Sequence, residues 1–380
     1  MIVGIDASNL RAGGGVTHLV ELLRACDPQA SGFSKVIVWG GHSTLSQLEA
    51  RPWLDRQTLS VLDRGLIHRV LWQRSTLSNL AREAGCDVLF VPGGSYPGRF
   101  RPIVTMSRNL LPFEWRELRR FGWSWMTLKL CLLRFSQTRT LRRADGVIFL
   151  TDYAYRVVMP VLRATRGETV IIPHGINERF SSAPRAQVPS DRRSLEQPLR
   201  LLYVSIIDLY KHQWHVVEAV AQLRAQSAPI ALELIGPAYP PALRRLEEAM
   251  ERWDPNGEFI SYSGSVSHTS LHERYARSDI CVFASSCENM PNILLEGMAS
   301  GLPIACSRRG PMPEVLGDAG VYFDPESPVD VARALRELID SPALRAELAR
   351  RSFARVQMFS WSRCANETFG FLARVAGRRP

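Results

Sequence analysis

Two carboxylates and one ammonium group offer the most specific chemistry in this sequence. Glu288 and Glu296 stand in the stretch Ser285 to Pro303, which reads SSCENMPNILLEGMASGLP. One carboxylate can accept hydrogen bonds from ribose hydroxyls and the other from the hydroxyls of a sugar. Lys211 adds a point charge able to offset a diphosphate. Most exposed lysines are only solvated, and its place just after a strand singles this one out. Gly13, Gly14 and Gly15 could let bare backbone approach a phosphate or sugar at a positive helix terminus, and a simple tight turn would use the same residues. Their spacing matches neither the dinucleotide fingerprint nor the P-loop, which argues against a dinucleotide cofactor or an ATPase site.

Strands and helices must deliver these groups to one place. Apolar β-branched runs alternate with longer helical patterns throughout, the mark of α/β architecture with parallel sheets covered on both faces. In the first half, strands are expected at Ile2 to Ile5, Lys35 to Trp39, Val88 to Val91, Ile103 to Met106, Val147 to Leu150 and Val170 to Ile172. Helices are expected at Val16 to Ala25 and His68 to Ala84. A stretch rich in Ser, Pro and Gln, 181–198, reads as a linker. Beyond it, strands near Leu201 to Val204, Ala231 to Ile235, Phe259 to Tyr262, Ile280 to Ala284 and Ile304 to Ser307 alternate with helices, making a second doubly wound domain. Ser205 to Lys211 then follows the first strand of that domain. Asn289 can cap the helix expected at Ile293 to Ser300, with Pro291 in its first turn. Free amides between Met290 and Ile293, Asn292 among them, would meet a phosphate there. Open α/β sheets bind ligands beyond the C-terminal ends of their strands, so the active site is expected between the two domains.

The 380 residues suit two packed cores. With 46% apolar and 22% charged residues, the composition is that of an ordinary globular protein, not of a disordered chain. No export signal is visible at the start, and the seven cysteines are scattered without a Cys-x-x-Cys pair, which suggests reduced thiols in a cytoplasmic protein. The net charge of +10 favours a polyanionic neighbour. Much of that charge lies between Arg99 and Arg143, interleaved with Trp123, Trp125, Leu128 and Phe135. Such a mixture suits an amphipathic helix at an anionic membrane surface, or a core helix with a solvated basic face. The apolar run is too short and interrupted to span a bilayer. No nucleic-acid reader motif is present, so no nucleic acid is expected as partner.

The two acids resemble the E-x7-E pair of the family 4 retaining glycosyltransferases, whose architecture is GT-B, two Rossmann-like domains facing across a cleft. LLEGMASGLP (294–303), GPMPEVLGDAG (310–320), FSW (359–361), the Gly13 to Gly15 loop, the Lys211 neighbourhood and Pro173 to Asn177 resemble that family's blocks in order. The resemblance implies an acceptor domain at 1–180, the linker at 181–198, a nucleotide-sugar donor domain at 199–357, and a C-terminal helix, 358–380, that packs back on the first domain. It also implies that Lys211 binds the donor diphosphate, Glu296 the ribose, and Glu288 the transferred sugar or its phosphate, while Gly14 and Gly15 close the site. Ser205, Met290, Pro291, Asn292 and Ile293 would complete the donor site.

Retention of configuration without a bound metal or other cofactor is implied, with cations and amides stabilising the leaving diphosphate. The pattern departs from the family at two places. Ile206 stands where an arginine is frequent, leaving the diphosphate one fewer cation for amides, His212 or a distant arginine to replace. Arg108 and Asn109 stand where His-Asp is frequent, and they become candidates to touch the donor sugar or acceptor. His174 reads as a hinge residue, Asp152 as a helix cap and Glu314 as a loop-orienting group. The expected activity is transfer of a hexose from a GDP- or UDP-sugar, with GDP-mannose preferred, to a glycan or lipid-linked glycan, in bacterial surface polysaccharide or lipopolysaccharide synthesis. The enzyme would be cytoplasmic and could lie peripherally on the inner membrane. A sugar-nucleotide epimerase or phosphorylase of the same fold, and a non-enzymatic membrane or nucleic-acid binding module, are the alternatives.

Overall fold

Parallel strands buried on both faces need apolar side chains in unbroken runs, and such runs build both sheets of this chain. The computed structural model describes residues 1–11, 13–267 and 269–378. The chain forms two units. One comprises Met1–Leu118, Gly122–Gly175 and the chain from Phe359 onward, and the other comprises Arg119–Phe121 and Ile176–Met358.

The first unit holds a seven-stranded parallel sheet. Its strands are β1 (Ile2–Asp6), β2 (Lys35–Gly40), β3 (Leu54–Thr58), β4 (Val88–Val91), β5 (Ile103–Met106), β6 (Gly146–Phe149) and β7 (Glu168–Ile171), in the order β3-β2-β1-β4-β5-β6-β7. The direction of winding reverses between β1 and β4. The helix expected at His68 to Ala84 is two helices, Leu66–Ser75 and Leu77–Glu83, broken at Thr76. Trp361–Gly377 forms the last helix, and it belongs to this first unit. Phe369 meets Phe33 edge to face at 6.1 Å, and the ring of Phe371 occupies the space that a side chain at Gly146 would need. The final two residues of the expected 358–380 element lie outside the described residues.

The second unit holds a six-stranded parallel sheet of β8 (Leu199–Val204), β9 (Ile230–Ile235), β10 (Ile260–Tyr262), β11 (Ile280–Phe283), β12 (Ile304–Ser307) and β13 (Val321–Phe323). Its order is β10-β9-β8-β11-β12-β13, so here the winding reverses between β8 and β11. Residues 181–198 are not a free linker. Ser182 N donates to Ala299 O, Ser300 Oγ to Phe180 O, and the fully buried guanidinium of Arg345 binds Gln187 Oε1 and Val188 O. The boundary between the units falls earlier, at Gly175 and Ile176.

Side-chain oxygens start the helices where the sequence supplies them. Ser327, Ser341 and Ser360 each accept from a backbone N–H three residues on. The cap of the Asp152–Leu162 helix is Thr151, whose hydroxyl accepts from Ala154 N. Asp152, expected as the cap, is the first helical residue and pairs with Arg156 at 3.1 Å.

Candidate functional site

Where winding reverses, the two neighbouring strands send their outgoing loops apart and leave a crevice at their C-terminal ends. In the second unit those strands are β8 and β11. Lys211 lies in the loop leaving β8 and Glu288 in the loop leaving β11, so sheet order explains why they meet.

Lys211 is buried, and its Nζ donates to Glu288 Oε1. The ammonium also lies 5.1 Å from the ring centre of Tyr210 and 5.5 Å from that of Phe283, within reach of their negative π-faces. The two loops are stitched together around this pair. Tyr203 Oη on β8 donates to Lys211 O at 2.7 Å, and Ser286 N donates to Tyr210 O at 2.8 Å. His212 is fully buried in a left-handed conformation, with φ 53°, and its Nε2 lies 2.9 Å from Ser286 Oγ. His212 therefore ties loop to loop. Ile206, where the family resemblance leads one to expect a cation, accepts at its carbonyl from Gln213 Nε2 at 2.9 Å. Burial first, and then the negative charge of Glu288, raise the pKa of Tyr203 and Tyr210 well above the usual phenol range.

Ser205 directly follows β8 and is buried, its N–H bonded to Ile235 O. A side chain on the neighbouring Gly236, at φ +147°, would come within 2.0 Å of Ser205 O, so glycine is required for this close approach. Gly310 opens the GPMPEVLGDAG block at φ +61°, and a β-carbon there would lie 3.9 Å from Glu288 N. In that block Glu314 O accepts from Arg355 Nη2 at 2.8 Å, which anchors the block from the Pro342–Val356 helix.

Glu296 sits on the Asn292–Ala299 helix, buried, and accepts from the Tyr275 hydroxyl at 3.2 Å. Burial and the nearby Glu296 raise the Tyr275 phenol far above its usual range and push the Cys281 thiol up to about 12. Tyr275 was not a sequence candidate. The helix begins one residue earlier than expected, with Pro291, not Asn289, at the N-cap. Asn292 N donates to Met290 O at 3.0 Å, so this amide is already engaged, while Leu294 N and Leu295 N close the first turn on Pro291 O. Met290 and Pro291 are buried, and Asn292 and Ile293 are half-buried at the helix mouth.

In the first unit, Gly13 at φ +66° begins the helix Gly14–Ala25 that follows β1, and its carbonyl accepts from Val16 N and Thr17 N. A β-carbon at Gly15 would lie 2.8 Å from Arg108 Nη1, so the absent side chain leaves room for that guanidinium. Desolvation lowers the Arg108 pKa to about 10, still far above neutrality, so the group keeps its charge. Asn109 makes a local turn instead: its Oδ1 accepts from Leu111 N at 3.1 Å.

His18, also missed, lies beside Arg108 and His174. Its ring centre is 4.7 Å from that of His174 and 5.8 Å from that of Trp361, and neither of its nitrogens has a hydrogen-bond partner among the described residues. Burial, with positive neighbours at His174 and Arg108, holds its pKa well below the usual imidazole value. His174 stacks on Trp361 at 5.6 Å, and a β-carbon at Gly175 would come within 2.1 Å of Trp361 N. Three blocks distant in sequence thus form one cluster. Asp6, at the end of β1, was a further omission. It is buried, accepts from Ser8 N and Gln73 Nε2, and is raised in pKa by its burial.

Known proteins share both the sequence and the architecture. Residues 186–355 match the family model "Glycosyl transferases group 1". The chain is 31% identical over 123 residues to O-antigen chain mannosyltransferase B of Escherichia coli, a match covering 32% of each chain. It is 23% identical over 260 residues to D-inositol 3-phosphate glycosyltransferase of Nocardioides sp., covering 63% of this chain and 56% of that relative. The matches therefore span between a third and somewhat over half of these relatives' lengths. Among solved structures, sucrose-phosphate synthase from Thermosynechococcus elongatus superposes with a TM-score of 0.76 at 19% identity, covering 97% of each chain. Anabaena HepE in complex with UDP and glucose superposes with a TM-score of 0.68 at 15% identity, over 97% of this chain and 98% of that one. These likenesses give both sheets the GT-B fold. The stretch that matches the group 1 glycosyltransferase family, residues 186–355, is the one that holds Lys211, Glu288 and Glu296.

Proposed function

We propose that this chain transfers a hexose from a nucleotide-activated donor to a glycan or lipid-linked glycan acceptor, with retention of configuration and no bound metal. The observation that carries the reading is the buried Lys211 ammonium, held by Glu288 at the crevice between β8 and β11. A preorganised cation there can stabilise the charge that grows on a departing diphosphate without reorganising at the moment of reaction. Glu288 would hold the ammonium and accept from hydroxyls of the transferred sugar, and Glu296, oriented by Tyr275, would accept from the ribose. Arg108 would face the donor sugar or the acceptor, and Gly14 and Gly15 would give backbone access.

GDP-mannose is the preferred donor. Support comes from the mannosyltransferases among the similar sequences, including the E. coli O-antigen enzyme and a GDP-mannose-dependent mycobacterial enzyme 26% identical over 247 residues. A lipid-linked acceptor in bacterial surface polysaccharide synthesis fits the same relatives. No helix among the described residues is long and apolar enough to cross a membrane. A lipid-linked acceptor of that kind would put the enzyme in the cytoplasm, peripheral to the inner face of the membrane.

The test is donor turnover. Purified chain is incubated with GDP-mannose, UDP-glucose or UDP-galactose, with and without a lipid-linked glycan acceptor and with chelator present. Release of nucleoside diphosphate together with an α-linked product supports the reading. An altered nucleotide sugar formed without acceptor would favour the epimerase, and release dependent on inorganic phosphate the phosphorylase.

A further inference from the structure

A second site lies on the first unit, at the other edge of its sheet. Arg82 precedes β4, Arg99 precedes β5 and Arg143 precedes β6, so these arginines belong to the N-terminal ends of three neighbouring strands, and the opposite end of β5 leads to Arg108. With Arg74 and Arg139 they line a groove of about 820 Å³, and no carboxylate lines it. An adjoining hollow of about 260 Å³ shares Arg99, Arg139 and Arg143 and adds Arg101. Five guanidinium groups around one groove repel one another, a cost that an anion filling the groove would reverse. Guanidinium also suits phosphate, because its planar donors bind two oxygens at once.

The groove continues into an apolar stripe. On the helix Trp125–Arg143, residues 125, 128, 132, 135, 139 and 143 follow the spacing of a single face. The first four are Trp125, Leu128, Leu132 and Phe135, exposed by 76%, 49%, 60% and 72%, and the last two are groove arginines. Across the groove, the helix Leu66–Ser75 exposes Leu66, Ile67 and Leu71, and Leu71 itself lines the groove. Trp123, just before the Trp125 helix, is fully exposed. Large apolar side chains in contiguous exposed rows mark an interaction surface. Free polyanions would explain the arginines but not the row of indole, leucine and phenyl groups beside them.

We propose that this face docks on a bilayer rich in anionic phospholipid, with the five arginines on headgroup phosphates and the stripe from Trp125 to Phe135 entering the acyl boundary. Each cation near an anionic surface strengthens binding by about fivefold, so removing three weakens it by about a hundredfold. The proposal rests on the peripheral placement proposed above but not on the transfer reaction, because docking is read without donor or acceptor.

The test is co-sedimentation of the full chain with vesicles of phosphatidylcholine alone or mixed with phosphatidylglycerol, together with quenching of tryptophan fluorescence by brominated lipid. Wild type should bind the anionic vesicles, release in high salt and show quenching. A triple variant, Arg74→Gln, Arg139→Gln and Arg143→Gln, should lose about a hundredfold in binding. A double variant, Trp125→Ser and Phe135→Ser, should retain salt-sensitive attraction but lose quenching. All the altered positions are exposed, and unchanged thermal unfolding midpoints show that the variants fold. Unimpaired vesicle binding by both variants overturns the proposal, as does failure of wild type to bind. So does arginine-dependent binding to a nucleic-acid probe without binding to vesicles, which would make the occupant a polynucleotide.

Discussion

Replacing Glu288 by Gln should tighten the hold of the site on a bare nucleoside diphosphate while slowing sugar transfer. The Lys211 and Glu288 side chains are exposed by only 6% and 16%, so water screens their attraction weakly. Any diphosphate that takes the ammonium must therefore share it with the Glu288 carboxylate. A hydrogen bond to a charged group is worth about 1.5–3 kcal/mol, and a neutral amide at 288 gives up roughly half of its share. Freeing about 1 kcal/mol for the incoming phosphate corresponds to about fivefold tighter binding. Lys211→Met acts the other way, since it removes the cation and leaves Glu288 facing the phosphate, and affinity should fall by about ten- to a hundredfold. Titration calorimetry of GDP and UDP into wild type, both single variants and the double variant gives all four corners of the cycle, and the coupling between the two positions should be about 1–3 kcal/mol. If Glu288→Gln weakened diphosphate binding as much as Lys211→Met does, the carboxylate would be supporting the phosphate and the competition described here would be wrong. If neither change altered binding, the donor would not be held at this crevice at all.

Three more outcomes follow from single features. The depressed pKa of His18 means that the unfolded chain binds its proton more readily, so stability should be unaffected above about pH 6.5 and fall by up to about 1.4 kcal/mol per pH unit below it. Urea unfolding between pH 5 and 7 should show this slope reduced in His18→Gln, with His215, which burial also lowers, contributing to what remains. Gly175→Ala would drive a methyl group into the Trp361 backbone, and thermal unfolding should reveal a loss of about 1–3 kcal/mol. Of the seven free cysteines only Cys131 is exposed, so a thiol reagent should label it quickly in the native protein and leave Cys131→Ser nearly unreactive until denaturant is added.

The interior strands were legible because burial on both faces demands continuous apolar runs, and the ends of β4, β5 and β12 fall at the expected residues. Edge strands carry no such demand. LDRQT in β3 is mostly exposed, and it gave no apolar pattern to read. The meeting of Lys211 and Glu288 could be anticipated because each follows a central strand. Tyr275 could not, since its contact with Glu296 depends on how two helices lie against each other and leaves no trace in spacing. His18 had a signal that was passed over: a polar residue among Val16, Leu19, Leu22 and Leu23 on the buried stripe of a helix. Residues 181–198 look like a linker because they hold themselves in place through backbone groups and through Arg345, a partner far along the chain.

The closing helix has a consequence for how the protein is made. Phe369 and Phe371 complete a core whose other walls, at Phe33 and Gly146, leave the ribosome hundreds of residues earlier. The interior nearest the N-terminus is thus the last to be sealed, after the unit encoded downstream already has nearly all of its own chain. Nascent molecules must carry an unsealed apolar face through most of synthesis, and a stop codon shortly after Met358 would damage the half of the protein furthest from it in sequence.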